Sequence, residues 1–353
     1  MLATKKWIVH RIGLPLTLLT LASQTTLGAP PPPTPSPIAN STACIKNRGM
    51  WIWNTKELIG NPTEQDQLIS RSSQAKVTEV YEYLIARDYT DLHSELATFN
   101  TKLNSAGIKV WGLEGYRGYF GDSYGSNDLY SAADALITFN ATAPESARFV
   151  GFITDMEPQD DSGSGLYSSF HNGLTDSQLN RTTGGVWYAT QSLDREMLMR
   201  DWLQIHKTLK EKMVGAGLLL AGSMVSWLDS YYGEEIAVTF NGVRQGVMLH
   251  MMSILNNYIM MTYNTNPASV AYKMNGALNY ADNLPPALRP RVSAALETHS
   301  GAGSGISYGD TPDKNSRAAV LGDIQKIDIL LGSHPSYCGT HIHDWVGWSK
   351  LNP

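Results

Sequence analysis

The sequence is short of several features that mark whole classes of protein. It contains only two cysteines among 353 residues. After the N-terminal segment, no apolar run reaches the ~18 residues that a candidate membrane-spanning helix needs. It also lacks a cluster of basic residues and has a formal charge of −5, so it has no electrostatic footprint for nucleic acid or anionic lipid. We therefore expect no nucleic-acid partner and no membrane association.

Several catalytic signatures are missing as well. The chain has no phosphate loop and no dinucleotide fingerprint. Glycine- and serine-rich stretches at 163–165 and 301–305 lie in predicted loops, not between a strand and a helix, which argues against a serine hydrolase. His341 and His343 are a candidate half of a metal site, but the sequence indicates no third ligand. We expect neither a metal nor another cofactor.

The N-terminal segment has the composition of an export signal. Basic residues precede the apolar run 12–22, and small residues end the segment near Gly28, which predicts a signal peptide over 1–28. The proline-rich stretch 29–43 predicts a stiff, extended linker. Residues 44–353 suffice for one barrel domain of about 250 residues with insertions. We expect a secreted, extracellular monomer.

Eight apolar or β-branched runs recur along the chain. They lie at 49–54, 76–85, 107–115, 148–158, 217–227, 257–264, 291–300 and 340–348. Helix-like stretches separate several of them, at 89–106, 131–139, 191–215 and 318–331. Strands that alternate with helices indicate parallel pairing through right-handed crossovers. The fold class is therefore α/β, and eight such units predict a single (β/α)8 TIM barrel with functional residues at the C-terminal strand ends.

Two connections are longer than a barrel requires. Residues 159–190 follow the fourth strand and are rich in glycine, serine and aspartate, so we expect a long loop over the C-terminal face. Residues 235–249 follow the fifth strand and contain Asn241-Gly242 between alternating apolar residues, which predicts a β-hairpin. This hairpin either walls one side of the cleft or is a peripheral addition.

Export also bears on the cysteines and on glycosylation. Cys44 lies just before the first predicted strand and Cys338 just before the last, and these strands are neighbours in a closed barrel. In an oxidising compartment the two thiols can pair, so we expect a disulfide bond at the barrel seam. The sequons at Asn40, Asn140 and Asn180 would carry N-glycans in a eukaryotic host.

The fourth predicted strand ends in carboxylates. Asp155 and Glu157 follow the apolar run 149–153 and, being two residues apart, point the same way. A solvated strand end would explain either residue alone. Together, at the C-terminal end of a barrel strand, they predict a catalytic pair.

Other strands deliver polar and aromatic side chains to the same face. The sixth strand brings Met261 and Tyr263, and the seventh brings Glu297. Residues expected around a substrate are Trp51, Trp53, Glu114, His343 and Trp345. Aromatic rings stack on sugar rings, and paired carboxyls transfer the proton and stabilise the charge when a glycosidic bond breaks. Each residue alone could belong to the core, but the joint pattern predicts a sugar-cleaving site.

These motifs resemble those of known glycosidases. Asp155-Met-Glu157 and the M-T-Y that ends at Tyr263 are similar to the D-x-E and M-x-Y motifs of chitinase-type family 18 glycosidases. The resemblance implies that Glu157 is the general acid, Asp155 its partner and Tyr263 a stabiliser of the reacting centre. Gly151 and Ile153 stand where the fuller family pattern has acids, which argues against substrate-assisted chemistry on N-acetyl sugars.

A second resemblance concerns Glu297. Glu157 before a proline, with Glu297 in A-L-E-T, is similar to retaining glycosidases that have the acid/base on strand four and the nucleophile on strand seven, although Met156 replaces their usual asparagine. M-W-x-W, D-x-E-P, M-x-Y and x-E-T in this order also resemble secreted TIM-barrel proteins of bacteria and fungi over 49–348. Glu297 is thus a nucleophile, a base in an inverting reaction, or a positioning group. The M-x-Y motif favours Asp155 and Glu157 as the working pair.

The sequence thus predicts a secreted glycoside hydrolase that acts on a cell-wall or extracellular polysaccharide, or on an oligosaccharide, by carboxyl general acid/base catalysis. The alternative is a carbohydrate-binding pseudoenzyme that uses the same aromatic rings on a TIM-barrel scaffold without turnover.

Overall fold

The computed structural model describes residues 44–115, 123–158, 192–231 and 233–353. The predicted signal peptide and linker lie outside the described residues, as do the long stretch after the fourth strand and the sequons at Asn40 and Asn180.

Eight parallel strands close into a barrel, which confirms the predicted fold. They are β1 (Gly49–Ile52), β2 (Glu79–Tyr83), β3 (Lys109–Glu114), β4 (Gly151–Thr154), β5 (Leu219–Val225), β6 (Asn257–Met261), β7 (Arg291–Glu297) and β8 (Tyr337–His343). Each pairs with its sequence neighbour, and β8 returns to β1 where Met50 pairs with Ile342. The C-terminal ends of all eight strands therefore lie on one face of the barrel.

Ten α-helices accompany these strands within the described ranges. They are α1 (Thr55–Ile59), α2 (Pro62–Ala75), α3 (Asp88–Asp91), α4 (His93–Ser105), α5 (Ser123–Thr142), α6 (Ser192–Gly215), α7 (Val247–Ile254), α8 (Pro267–Asp282), α9 (Arg317–Leu330) and α10 (Trp345–Lys350). Local sequence fixes several starts: Asn61 and Asn266 cap α2 and α8 just before a proline, and Ser316 caps α9. In the described part of the chain, no helix is both long and apolar enough for a membrane crossing.

Side-chain alternation along the strands divides the core in two. Inward-facing residues fill the barrel: Trp51, Tyr81, Trp111, Leu113, Ile153, Ala221, Ile259 and Ala295. Outward-facing residues such as Val80 and Phe152 pack in the layer that holds the helices. Because β1 to β3 contribute three large rings and β5 and β7 contribute alanines, the interior is filled mainly from one side.

The predicted eighth strand is wrong over its second half. β8 begins at Tyr337 and ends at His343, whereas the prediction ran from 340 to 348. Trp345–Lys350 is a helix because the Asp344 carboxylate accepts a hydrogen bond from the Gly347 N–H at 2.7 Å and caps its first turn.

The predicted hairpin after β5 is confirmed. Ala237–Phe240 and Val243–Gly246 pair antiparallel, joined by Asn241 and Gly242. Both turn residues have positive φ, 49° and 79°, as a type I′ turn requires. Glu196 of α6 fastens the hairpin by accepting hydrogen bonds from the Thr239 N–H and the Arg244 guanidinium. A shorter pairing of Ser230–Tyr231 with Glu234–Glu235 precedes it.

The predicted disulfide bond between Cys44 and Cys338 is also confirmed. The two cysteines are 294 positions apart in the sequence, so the bridge closes a long loop. Main-chain hydrogen bonds join the same segments, from the Cys44 N–H to the Pro335 carbonyl and from the Asn47 N–H to the Cys338 carbonyl. The bridge therefore fastens the β1–β8 seam at the N-terminal face of the barrel.

Removing the bridge should destabilise the barrel without changing its fold. The double variant Cys44→Ser/Cys338→Ser is expected to lose about 2–5 kcal/mol of unfolding free energy, because the unfolded chain regains the entropy of a long open loop. Denaturant unfolding of the oxidised protein, the reduced protein and the variant measures this loss. Two alkylatable thiols in the unreduced, denatured protein would contradict the pairing.

A second stability feature is a buried acid outside the barrel interior. Glu82 of β2 is 0% exposed, and neither carboxyl oxygen has a hydrogen-bond partner among the residues described. Burial raises the pKa of Glu82 well above its ordinary value of 4.5. On the opposite face of β2, Glu79 accepts hydrogen bonds from Asn47, Tyr81 and Trp111.

Glu82→Gln should therefore stabilise the protein at neutral pH. The unfolded chain releases the Glu82 proton above about pH 4.5 while the folded chain keeps it, so stability is lost as pH rises towards the folded pKa. We expect a gain of about 1–3 kcal/mol at neutral pH that shrinks below pH 4.5, measured by denaturant unfolding across pH. Burial raises the pKa of Glu79 as well, but Glu79→Gln should destabilise, because it places an amide donor among the three donors that bond to the carboxyl. An equal gain at all pH values would show that Glu82 does not titrate.

Candidate functional site

Side chains from six strands converge at the C-terminal mouth of the barrel. They are Trp53, Tyr83, Asp155, Glu157, Tyr263, Glu297 and His343, each at the end of a strand or just beyond it. The Tyr263 and His343 rings lie 5.6 Å apart between centroids, and the Trp53 ring lies 6.1 Å from His343. These seven residues form the mouth cluster.

Tyr263 lies within electrostatic reach of several carboxyl groups. Burial raises the pKa of its phenol well above the ordinary value, and the carboxyls of Asp155, Glu297, Glu157 and Asp344 raise it further. The structure therefore brings together all four residues that the sequence places at the reacting centre. The phenol remains protonated and can donate a hydrogen bond to an oxygen that gains negative charge.

Glu297 ends β7 and is held by two donors. Its Oε1 accepts a hydrogen bond from the His299 N–H at 2.7 Å, and its Oε2 accepts one from His343 Nδ1 at 2.8 Å. The residue is 6% exposed. Two hydrogen bonds from opposite sides fix the orientation of the carboxylate.

His343, predicted to contact a substrate, lies between Glu297 and Trp53 at the mouth. Its Nδ1 is bonded to Glu297, and its Nε2 accepts a hydrogen bond from the Trp53 indole at 2.9 Å. Both ring nitrogens are thus hydrogen-bonded to protein groups. Burial lowers the pKa of His343, but the hydrogen bond to Glu297 and the nearby carboxyls outweigh burial and raise it.

Asp155 follows β4 and is less well hydrogen-bonded than Glu297. It is 9% exposed, and its Oδ1 is buried without a hydrogen-bond partner in the described part of the chain. Burial raises the pKa of Asp155, as does the charge of Glu297, while His343 and Ser223 act in the opposite direction. Glu157, two residues on, is only partly buried. The two residues of the predicted pair therefore differ in their contact with solvent.

Gly115 allows β3 and β4 to meet closely behind Asp155. A Cβ atom at Gly115 would lie 2.5 Å from the backbone oxygen of Asp155. The Asp155 N–H donates to the Glu114 carbonyl at 2.9 Å, which continues the strand pairing past the end of β4. A side chain at Gly115 would displace Asp155.

Three residues predicted to contact a substrate lie in the core instead. Trp51 is 0% exposed inside the barrel, with its ring 4.8 Å from that of Tyr81. Glu114 is 3% exposed and follows the inward-facing Leu113, so it points away from the barrel interior. Trp345 is 2% exposed in α10, under the Arg71 guanidinium. Met261, the last residue of β6, is also buried.

Tyr83 is a mouth residue that the sequence analysis missed. Its ring is 5.5 Å from that of Trp53, at an interplanar angle of 50°. The signal was present, because Tyr83 lies two residues after the inward-facing Tyr81 in a predicted strand. Across the parts of the chain that the structure covers, no group of three or more histidine, cysteine, aspartate or glutamate residues could hold a metal ion.

Comparisons with known proteins find similarity in structure only. No protein-family model and no curated protein sequence matches the chain. Similar solved structures include a chitinase from Chromobacterium violaceum ATCC 12472, at 12% identity and TM-score 0.45, over 88% of this chain and 96% of that one. The spore cortex-lytic enzyme of Bacillus megaterium QM B1551 is also similar, at 12% identity and TM-score 0.45, over 91% and 73% of the two chains.

A third similar structure is the GH20 exo-β-N-acetylglucosaminidase of Vibrio harveyi in complex with N-acetylglucosamine. It is 10% identical, with TM-score 0.43, over 88% of this chain and 51% of that enzyme. The chain therefore spans about half of this enzyme. At such identities and TM-scores the likeness is one of barrel architecture, so the chemistry has to be argued from the mouth cluster itself.

The buried Asp155 carboxyl should stay protonated above the pH at which an exposed aspartate ionises. A raised pKa means that the folded protein keeps this proton as pH rises past the ordinary value of 3.8. We expect an infrared carboxylic-acid band that persists above that pH and is missing from Asp155→Asn. Asp91→Asn, at an exposed position, should leave the band unchanged. Loss of the Asp155 band at or below pH 3.8 would contradict the assignment.

Proposed function

We propose that the protein is a glycoside hydrolase in which Glu157 is the general acid. The observation that carries the proposal is the position of Asp155, Glu157, Tyr263 and Glu297 at or just beyond the C-terminal ends of β4, β6 and β7, where the three carboxyls all raise the pKa of the Tyr263 phenol. Cleavage of a glycosidic bond needs a proton donor for the leaving oxygen and a negative group for the positive charge that develops on the sugar.

The three carboxyls have different environments, and this supports a division of roles. Asp155 is buried with one oxygen unpartnered, whereas Glu297 accepts two hydrogen bonds. Glu157 is the most solvent-accessible of the three, and its accessibility supports the role of proton donor to a leaving group. In this scheme Glu157 donates the proton, Glu297 supplies negative charge, and Asp155 supports Glu157.

The aromatic rings at the mouth support a sugar substrate. Trp53, just beyond β1, and Tyr83, at the end of β2, are partly exposed and lie side by side, with their rings tilted at 50°. Aromatic faces of this kind stack on the apolar faces of pyranose or furanose rings. The disulfide bond fits an oxidising compartment, so we include secretion and an extracellular or cell-wall polysaccharide in the proposal.

Glu157→Gln should abolish turnover while preserving binding. The amide keeps the shape of the side chain but has no proton to donate, so kcat is expected to fall at least about 100-fold with little change in KM. The measurement is release of reducing ends from a panel of polysaccharides and oligosaccharides. The control Glu95→Gln changes an exposed residue of α4 and should keep full activity.

The same panel distinguishes the alternative function. If the wild-type protein binds a glycan of the panel but releases no product, the proposal fails and the carbohydrate-binding pseudoenzyme is supported. If a glycan is cleaved and Glu157→Gln retains activity within a few-fold, the protein is a glycosidase but Glu157 is not its acid.

A further inference from the structure

A buried hydrogen-bonded chain links three barrel strands at the mouth. The Trp53 indole, beyond β1, donates to His343 Nε2 at 2.9 Å, and His343 Nδ1 is 2.8 Å from Glu297 Oε2. The His343 and Glu297 side chains are 16% and 8% exposed. Water therefore has little access to compete for these bonds.

The chemistry of the indole decides where the imidazole carries its proton. Tryptophan has one N–H and no acceptor in its ring, so it only donates. His343 Nε2 must then present a lone pair to Trp53, and the proton of the neutral ring is on Nδ1. Glu297 Oε2 accepts that proton's hydrogen bond. Trp53 thus selects the one neutral tautomer in which His343 donates to Glu297.

We propose that Trp53 and His343 are positioning residues that hold Glu297 as an oriented carboxylate, with Trp53 fixing the His343 tautomer. The tautomer is a property of the folded protein, and only its use in catalysis rests on the proposed function. The His299 N–H supplies the second anchor, to Oε1 of Glu297. With one donor on each oxygen, the carboxylate has no freedom to rotate.

The carboxyl groups around His343 and the Trp53 hydrogen bond have opposite effects on its protonation. The carboxyls of Glu297, Asp155 and Asp344 favour its protonated form. The Tyr263 and Trp51 rings, each 5.6 Å away, complete its neighbours. A second proton would have to go to Nε2, where it would point at the Trp53 N–H. Acidification must therefore break the Trp53 bond before His343 becomes charged, so Trp53 restrains a protonation that the carboxyls promote.

Trp53→Phe tests this restraint, because it removes the donor and keeps an aromatic ring. Trp51→Phe is the matched control, since it also deletes an indole N–H near His343, but one without a hydrogen-bond partner among the described residues. Nitrogen-15 NMR of histidine-labelled protein reports tautomer and titration directly, and the signals missing in His343→Gln identify His343. Circular dichroism and thermal melts verify that each variant is folded.

We expect the neutral form of wild-type His343, which is populated above its raised pKa, to carry its proton on Nδ1. In Trp53→Phe the His343 pKa should rise by about one pH unit, the effect of one lost hydrogen bond, and Trp51→Phe should not change it. An Nε2–H tautomer in the wild-type protein would overturn the proposal. So would an unchanged titration in Trp53→Phe.

Activity gives an independent readout once a cleaved glycan is known. If His343 protonation limits activity at acid pH, the acid limb of kcat/KM should move up by the same amount in Trp53→Phe and stay in place in Trp51→Phe. Because the NMR experiment needs no substrate, it can contradict the proposed tautomer of His343 while loss of activity in Glu157→Gln still supports a glycosidase. Conversely, a correct tautomer in a protein that cleaves no glycan would refute only the proposed function.

Discussion

The pairing of β1 with β8 is the contact on which the mouth cluster depends. The two strands are far apart in the chain and share one register pair, Met50 with Ile342, yet their ends carry Trp53 and His343. If the seam opened, His343 would lose the group that fixes its tautomer. Glu297, on β7, would then lose one of its two anchors. Barrel closure is thus a requirement for the charge arrangement at the mouth as well as for the core.

Side-chain alternation distributes chemistry along the inward face of the strands. Glu79, Tyr81 and Tyr83 lie on the same face of β2. Glu79 and Tyr81 are hydrogen-bonded in the interior, whereas the Tyr83 ring lies at the mouth. On β8, His341 lies in the interior, where it accepts a hydrogen bond from the Gly49 N–H, and His343 lies at the mouth. Depth along a strand, more than residue type, decides whether a side chain supports the barrel or faces a ligand.

Residue patterns were enough to predict the barrel and the position of Asp155, Glu157, Tyr263 and Glu297 on one face of it, because the alternation of strands and helices places all strand ends on that face. They were not enough for Trp345, since the Asp344 cap turns that segment into a helix. The partnership of His343 with Trp53 depends on cross-strand distances of a few ångströms, which no local pattern encodes. Glu114 was misplaced because the phase of a short strand decides which way its last residue points.

The disulfide bond has a mechanical consequence. A pulling force applied through the residues before Cys44 would otherwise enter the barrel at β1, the four-residue strand that pairs with β8 at the seam. The Cys44–Cys338 bond instead passes the load directly into β8, which spans seven residues and has five register pairs with β7. Strand β1 is thereby shielded from being peeled off its neighbours. A barrel built this way could be held under tension by its N-terminal segment while the mouth, at the opposite end of the strands, keeps its geometry.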